Sequence, residues 1–243
     1  MTRAVVIGQS HCNSIATALE GERDGIAVYR VGVPFAEGEE PFTFSAAMRM
    51  VAGLSEKLPI FVSTLGAYHN QLGLLESGTP FDFLLEPADE TAAPPPAVRV
   101  PNRAVASAFN LIFNEAVKIR KLKRAARAPI YMLSTPPPKQ DNAFVKSILM
   151  KQKKKVYNGR SFLEFDVERP EIRLKLWRLE ARLLEQWSAL EDMHFVAAPE
   201  EAFDEAGFLS PRFYEDATHA NAQYGSLVVD QIRMILARER ANG

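Results

Sequence analysis

The chain has only one cysteine, Cys12, and no long apolar run. A single thiol excludes an internal disulfide and most metal–thiolate sites, and it fits a reducing compartment. The apolar segment near the start, Ala4 to Ile7, is closed at once by Gly8. That is too short for the apolar region of a signal peptide, so the expected location is cytoplasmic. No window approaches the roughly 18 apolar residues of a membrane-spanning helix. The formal net charge is −1, which gives no global attraction to nucleic acid or to an anionic membrane. The four histidines are not at ligand spacing and no acidic cluster accompanies them, so no metal is expected. A G-x-G-x-x-G fingerprint or phosphate loop is also missing after the first apolar run, which argues against a nucleotide-binding protein.

What remains is an ordinary globular composition over 243 residues, 47% hydrophobic and 24% charged. Short apolar, β-rich runs alternate with helical patterns. The strand candidates are Ala4–Ile7, Ile26–Val31, Pro59–Leu65, Pro129–Ser134 and Met193–Ala197. Between them, helices are expected over Ser14–Leu19, Ser45–Leu58 and a stretch capped by Asn102 whose stripe is Val105, Phe109, Ile112, Phe113, Ala116 and Ile119. Pro170 opens the longest amphipathic pattern, with Ile172, Leu176, Leu179, Leu183, Trp187 and Leu190 at steps of three and four. A last helix is expected from Asn221 to Arg238.

Five short strands separated by helices predict a parallel sheet covered on both faces. The expected fold is α/β: a three-layer α/β/α sandwich with a flavodoxin-like, parallel five-stranded sheet. The chain is expected to form one domain over 1–243, with a Pro-rich insertion at about 73–101 stiffened by Pro94, Pro95 and Pro96. In such sheets a site lies beyond the C-terminal strand ends, where Ser10, Gly32, the Gly66–Asn70 segment and Ser134–Pro138 fall.

Two short constellations carry chemistry. Gly8-Gln9-Ser10 follows the first strand and precedes a helix. A serine hydroxyl becomes a useful nucleophile once a base takes its proton, and a strand-to-helix turn both exposes it and supplies N–H donors. The plain alternative is that Ser10 caps the helix. Asp216-Ala217-Thr218-His219 precedes the final helix. This spacing can set a carboxylate against an imidazole, fixing its tautomer and stabilising the imidazolium. The plain alternative here is a capping Asp and a surface His.

Together the two segments, Val5-Val6-Ile7-Gly8-Gln9-Ser10-His11 and Asp216-Ala217-Thr218-His219-Ala220-Asn221 followed by Tyr224 and Gly225, resemble the SGNH/GDSL serine hydrolases. The resemblance implies Ser10 as nucleophile, His219 as general base and Asp216 as its orienting partner. It also implies an oxyanion hole built from the N–H groups of Ser10 and Gly32. The third donor of the family is an Asn side chain after the third strand. Here that segment reads Leu65-Gly66-Ala67-Tyr68-His69-Asn70, with Tyr68 or Ala67 where the Asn would stand. Asn70 either replaces it from a shifted position or the donor is missing. Gln9 also stands where the family has an Asp.

The implied activity is hydrolysis of an ester, such as an O-acyl group on a carbohydrate or small molecule, with no cofactor. The competing expectation is a binding or scaffolding protein that keeps the fold without useful catalysis. Expected partners are a small-molecule or glycan ester, with no nucleic acid and no membrane. Tyr68, His69 and Gln9 are further residues that can line the site, although a buried structural role suits His69 slightly better. His11 reads as a first-turn helix residue, and Cys12 as a small buried one. The basic runs Lys118–Arg127 and Lys146–Lys155 read as a solvated helix face or mobile loop, the alternative for the second being a grip on an anionic substrate or partner; no aromatics interleave as a single-strand binding platform would require.

Overall fold

The computed structural model describes residues 2–22, 24–32, 40–55, 58–76, 78–85, 98–112, 116–151, 156–157, 160–161 and 164–242. Along the first half run β1 (Ala4–Gly8), α1 (Cys12–Ala18), β2 (Ile26–Arg30), α2 (Phe44–Ala52), β3 (Ile60–Ser63), α3 (Tyr68–Gly73), β4 (Phe81–Asp82) and β5 (Val98–Arg99). The second half holds α4 (Asn102–Ile112), α5 (Ala116–Ala125), β6 (Ile130–Leu133), α6 (Asn142–Lys151), β7 (Val156–Tyr157), β8 (Arg160–Ser161), α7 (Pro170–Leu190), β9 (His194–Val196) and α8 (Ala222–Asn242).

Five of these strands form one sheet in the order β2-β1-β3-β6-β9, every pair parallel. Counting only those five, the order is 2-1-3-4-5, the flavodoxin-like arrangement expected from the sequence. The residues of β1, β3 and β6 are buried on both faces, which is why they read as unbroken apolar runs. Strand alternation divides those runs between two cores. Ala4, Val6, Phe61, Tyr131 and Leu133 face α1 and α8, meeting Cys12, Ile15, Val228 and Ile232. Val5, Ile7, Ile60, Val62, Ile130 and Met132 face the other way, against Ala47 and Val51 of α2, Ile119 and Leu122 of α5, and Leu184 of α7. Each fully buried aliphatic side chain contributes about 1.5–3 kcal/mol.

Several expected boundaries move. Helix α2 stops at Ala52, with Gly53 as its C-cap, rather than reaching Leu58. Asn102 is the first helical residue of α4 rather than its cap, and its side-chain amide donates to Leu85 O at 3.1 Å. Phe113 lies outside the described residues, as do Pro94, Pro95 and Pro96. The flanks of that Pro-rich stretch, β4 and β5, pair in parallel as a two-residue ladder. The apolar stripe of α7 ends at Trp187, because Leu190 is exposed next to the C-cap Glu191. Among the described residues, no helix is long and apolar enough to cross a membrane.

The basic run on α5 is a solvated face over the buried Ile119 and Leu122, with Arg120 paired to Glu191 and Lys123 to Asp192. In the second run, Lys146 pairs with Asp166, and residues 152–155 lie outside the described residues.

Candidate active site

Ser10 sits just past the C-terminal end of β1, between the two strands that flank it. The chain leaves the sheet tightly there: Gln9 N–H donates to Ser63 O at 3.1 Å, and Val31 N–H donates to Gly8 O at 2.7 Å. A side chain at Gly8 would press its Cβ to 2.8 Å from Cys12 Cβ and 3.0 Å from Ser63 O, so only glycine lets β1 turn into α1 at this point. The helix cap is His11, and no side chain bonds to the helix end. Capping therefore does not account for Ser10. Among the described residues its hydroxyl and its N–H are both without a hydrogen-bond partner.

Asp216 and His219 meet as the spacing predicts. The ring Nδ1 of His219 lies 2.8 Å from Asp216 Oδ2. The other carboxylate oxygen accepts the N–H groups of Thr218 and His219, each at 2.8 Å. Burial works against ionisation of Asp216. The hydrogen bonds from the His219 ring and from these two N–H groups outweigh it, holding the carboxyl below the usual carboxylate range. A different residue caps α8: Asn221 Oδ1 accepts the N–H groups of Gln223 and Tyr224 at 3.0 and 3.3 Å. Asp216 is thus committed to His219.

Two structural features bring this pair to Ser10. Helices α1 and α8 touch backbone to backbone at Gly225, where a Cβ would fall 1.9 Å from Ser14 O. From the loop after β6, the buried Lys139 reaches under the turn, and its Nζ donates to His219 O at 2.8 Å. As a result Ser10, Asp216 and His219 line one cavity of about 570 Å³. No hydrogen bond joins the Ser10 hydroxyl to the His219 ring among the described residues.

The other expected site residues are placed differently. Gly32 has φ +92, a backbone that favours glycine, and its N–H donates to Phe42 O at 3.0 Å. That amide is engaged in this conformation rather than free for an oxyanion. Asn70 lies inside α3, its N–H bonded to Ala67 O at 3.2 Å, and it does not line the Ser10 cavity. Gln9 and Tyr68 line a separate, smaller cavity with Val31, Phe44 and Thr64. His69 is buried against Glu180, with Nδ1 2.6 Å from Oε2. Glu180 also accepts the N–H groups of Tyr68 and His69 at 2.9 and 3.1 Å, so it pins the start of α3.

Two residues that hold these segments, Glu180 and Lys139, were not singled out by the sequence. Glu180 is separated from His69 by 111 residues, and no spacing rule links them. Lys139 follows three prolines with no motif around it. Burial, and secondarily Arg173, lowers its ammonium to about 8, while Asp216 and Glu215 pull the other way. His11 is more than a first-turn residue, because its ring packs on that of His219. Cys12 is buried, and burial pushes its thiol up to about 12, so it is no rival nucleophile at neutral pH. Among the described residues, no group of three or more His, Cys, Asp or Glu is placed to hold a metal.

The fold is therefore a three-layer α/β/α sandwich with a serine and a His–Asp pair at the C-terminal edge of its sheet. No family model matches the chain. No curated protein matches it either. Solved structures do resemble it. A GDSL-like lipase from Bacteroides thetaiotaomicron is 12% identical at a TM-score of 0.47, covering 98% of this chain and 88% of its own. The periplasmic domain of a lipopolysaccharide acetyltransferase from Salmonella Paratyphi A is 12% identical at 0.46, covering 98% and 84%. An extracellular lipase from Streptomyces rimosus is 9% identical at 0.46, covering 95% and 99%. At these levels the functional reading rests on the residues of this chain.

Proposed function

We propose that this chain is a serine hydrolase of SGNH/GDSL type that cleaves a carboxylic ester, on a small molecule or a glycan, through an acyl-enzyme. One observation carries the reading: the Asp216–His219 pair, 2.8 Å apart, lines the same cavity as Ser10. In the proposed cycle, Ser10 Oγ bonds to the acyl carbon as His219 takes its proton. The imidazolium, facing the ionised Asp216, passes that proton to the alcohol oxygen as the ester bond breaks. Water then adds to the acyl carbon by the same route, and Ser10 recovers its proton as the acid leaves. The Ser10 N–H is the first donor to the oxyanion. Reaction through Gly32 requires its N–H to leave Phe42 O when substrate binds.

That engaged Gly32 amide, together with the position of Asn70, favours a second reading, a binding protein with little turnover. Loss of one oxyanion donor costs about 100- to 1,000-fold in rate. Steady-state hydrolysis of 4-nitrophenyl acetate separates the two. The hydrolase reading expects turnover that falls at least about 1,000-fold in Ser10→Ala and His219→Ala. Equal background rates in all three folded proteins would favour the binding protein.

A further inference from the structure

In ester cleavage the alcohol departs from the side of the imidazole that protonates it. The walls of the cavity beside His219 therefore meet the alcohol half of the substrate. This inference rests on the reading of Ser10 and His219 as nucleophile and base. The cavity runs between α1 and residues 215–223, and at about 570 Å³ it is in the size range of small-molecule sites.

Its chemistry is narrow. Among the described residues, the apolar ones on its wall are Ala220 and Ala222, so a lipid chain would bury little apolar area against them. Among the described residues neither Lys nor Arg lines it, while Glu215 and Asp216 both do. A phosphate, sulfate or carboxylate would enter without a cation to meet it and against two carboxylates. A quaternary ammonium would find Glu215 but no aromatic cage among the described residues. What the wall offers instead is hydrogen-bonding capacity. Asn13 Oδ1 is buried without a partner. The side chains of Thr17 and Gln223 make no hydrogen bond among the described residues. Hydroxyl, amide oxygen and amide NH₂ together both donate and accept, which matches a ligand whose groups do the same.

We propose that this cavity is the alcohol subsite and that it takes an uncharged, hydroxyl-rich alcohol, a sugar or comparable polyol, held by Asn13, Thr17 and Gln223. The acyl group stays on Ser10 when the bond to the sugar oxygen breaks, and the sugar leaves as the free alcohol carrying the proton from His219.

The test compares acetyl esters that differ only in the alcohol: 6-O-acetylglucose, 4-nitrophenyl acetate, acetylcholine and the acetyl ester of glycerol 3-phosphate. Wild type is compared with Thr17→Val, Gln223→Leu and Ser10→Ala. The glucose ester is expected to exceed the phosphate ester in kcat/KM. Either substitution is expected to lower the ratio of glucose-ester to aryl-ester kcat/KM about tenfold, the worth of one lost hydrogen bond. A preference for the anionic ester, or an unchanged ratio in both variants, would overturn the proposal. Absence of turnover in wild type, or turnover that survives Ser10→Ala, would instead reject the nucleophile assignment. In that event saturation-transfer NMR with methyl glucoside on the folded protein still decides the subsite. Binding that disappears in Gln223→Leu supports it, and no binding to wild type overturns it.

Discussion

The imidazole rings of His11 and His219 lie with centroids 4.9 Å apart and planes tilted by 51°. His11 is adjacent in sequence to Ser10, so one turn presents both the hydroxyl and a wall for the imidazole that would act on it. Burial, followed by repulsion from His219, His69 and Lys139, holds His11 down to about 3, with Asp216 opposing. It therefore stays neutral at working pH and acts as a flat packing surface. Replacing it with Ala is expected to slow fluorophosphonate labelling roughly tenfold, because a loosened base loses its alignment. His11→Phe, which keeps a ring, is expected to recover most of that rate. Equal rates in wild type and the Ala variant would show that the contact is idle.

Glu180 is expected to matter for stability. It is buried and accepts three hydrogen bonds, from the His69 ring and the N–H groups of Tyr68 and His69. Glu180→Ala strands these donors in the interior and is expected to cost about 3 kcal/mol or more. Glu180→Gln keeps an acceptor and should cost less. Urea denaturation of the three proteins measures both.

The close approach of α1 and α8 gives a second stability prediction. At Gly225 a methyl group meets the backbone oxygen of Ser14, which cannot rotate away. Gly225→Ala is expected to destabilise the fold by about 2 kcal/mol or more, despite the better helix propensity of Ala. It should also reduce labelling of Ser10, since the same contact sets the distance between the turn of Ser10 and that of His219. A shift in the urea midpoint without loss of labelling would separate those roles.

Lys139 predicts a pH dependence. Its native ammonium is lowered to about 8, against an ordinary value of about 10.4. Between those values the unfolded chain holds more protons than the native one, so this group makes stability rise with pH across about 8 to 10.4. Below about 8 both states carry the charge, and the native state bears the full cost of burying it. Lys139→Met is expected to remove that rise, seen as the difference between the two proteins in Tm against pH. Parallel curves would contradict the assignment.

Much of the architecture was legible because its signals are local. The runs at Val5–Ile7 and Ile60–Val62 are apolar on both faces, and glycine or proline closes each strand. Each of the two motifs is a short spacing within one turn, and it was their joint resemblance to the SGNH/GDSL layout that paired them. Contacts between distant segments were not legible. Nothing near His69 announces Glu180, and nothing near Lys139 announces His219. The segment from Gly66 to Asn70 shows the difference. Its residues fall at the expected strand end, yet α3 begins at Tyr68, and the twist of that turn buries His69 on Glu180 and keeps Asn70 off the Ser10 cavity. Hydrophobic pattern fixes where a strand ends, but the direction of each side chain beyond it depends on partners far along the chain.

The central claim is that His219 activates Ser10, and covalent trapping tests it most directly. The protein is treated with a fluorophosphonate, digested, and the adduct located by peptide mass spectrometry. The account predicts one adduct, on Ser10, that disappears in His219→Ala while that variant remains folded. An adduct elsewhere, or one on Ser10 that forms equally fast without His219, would contradict it.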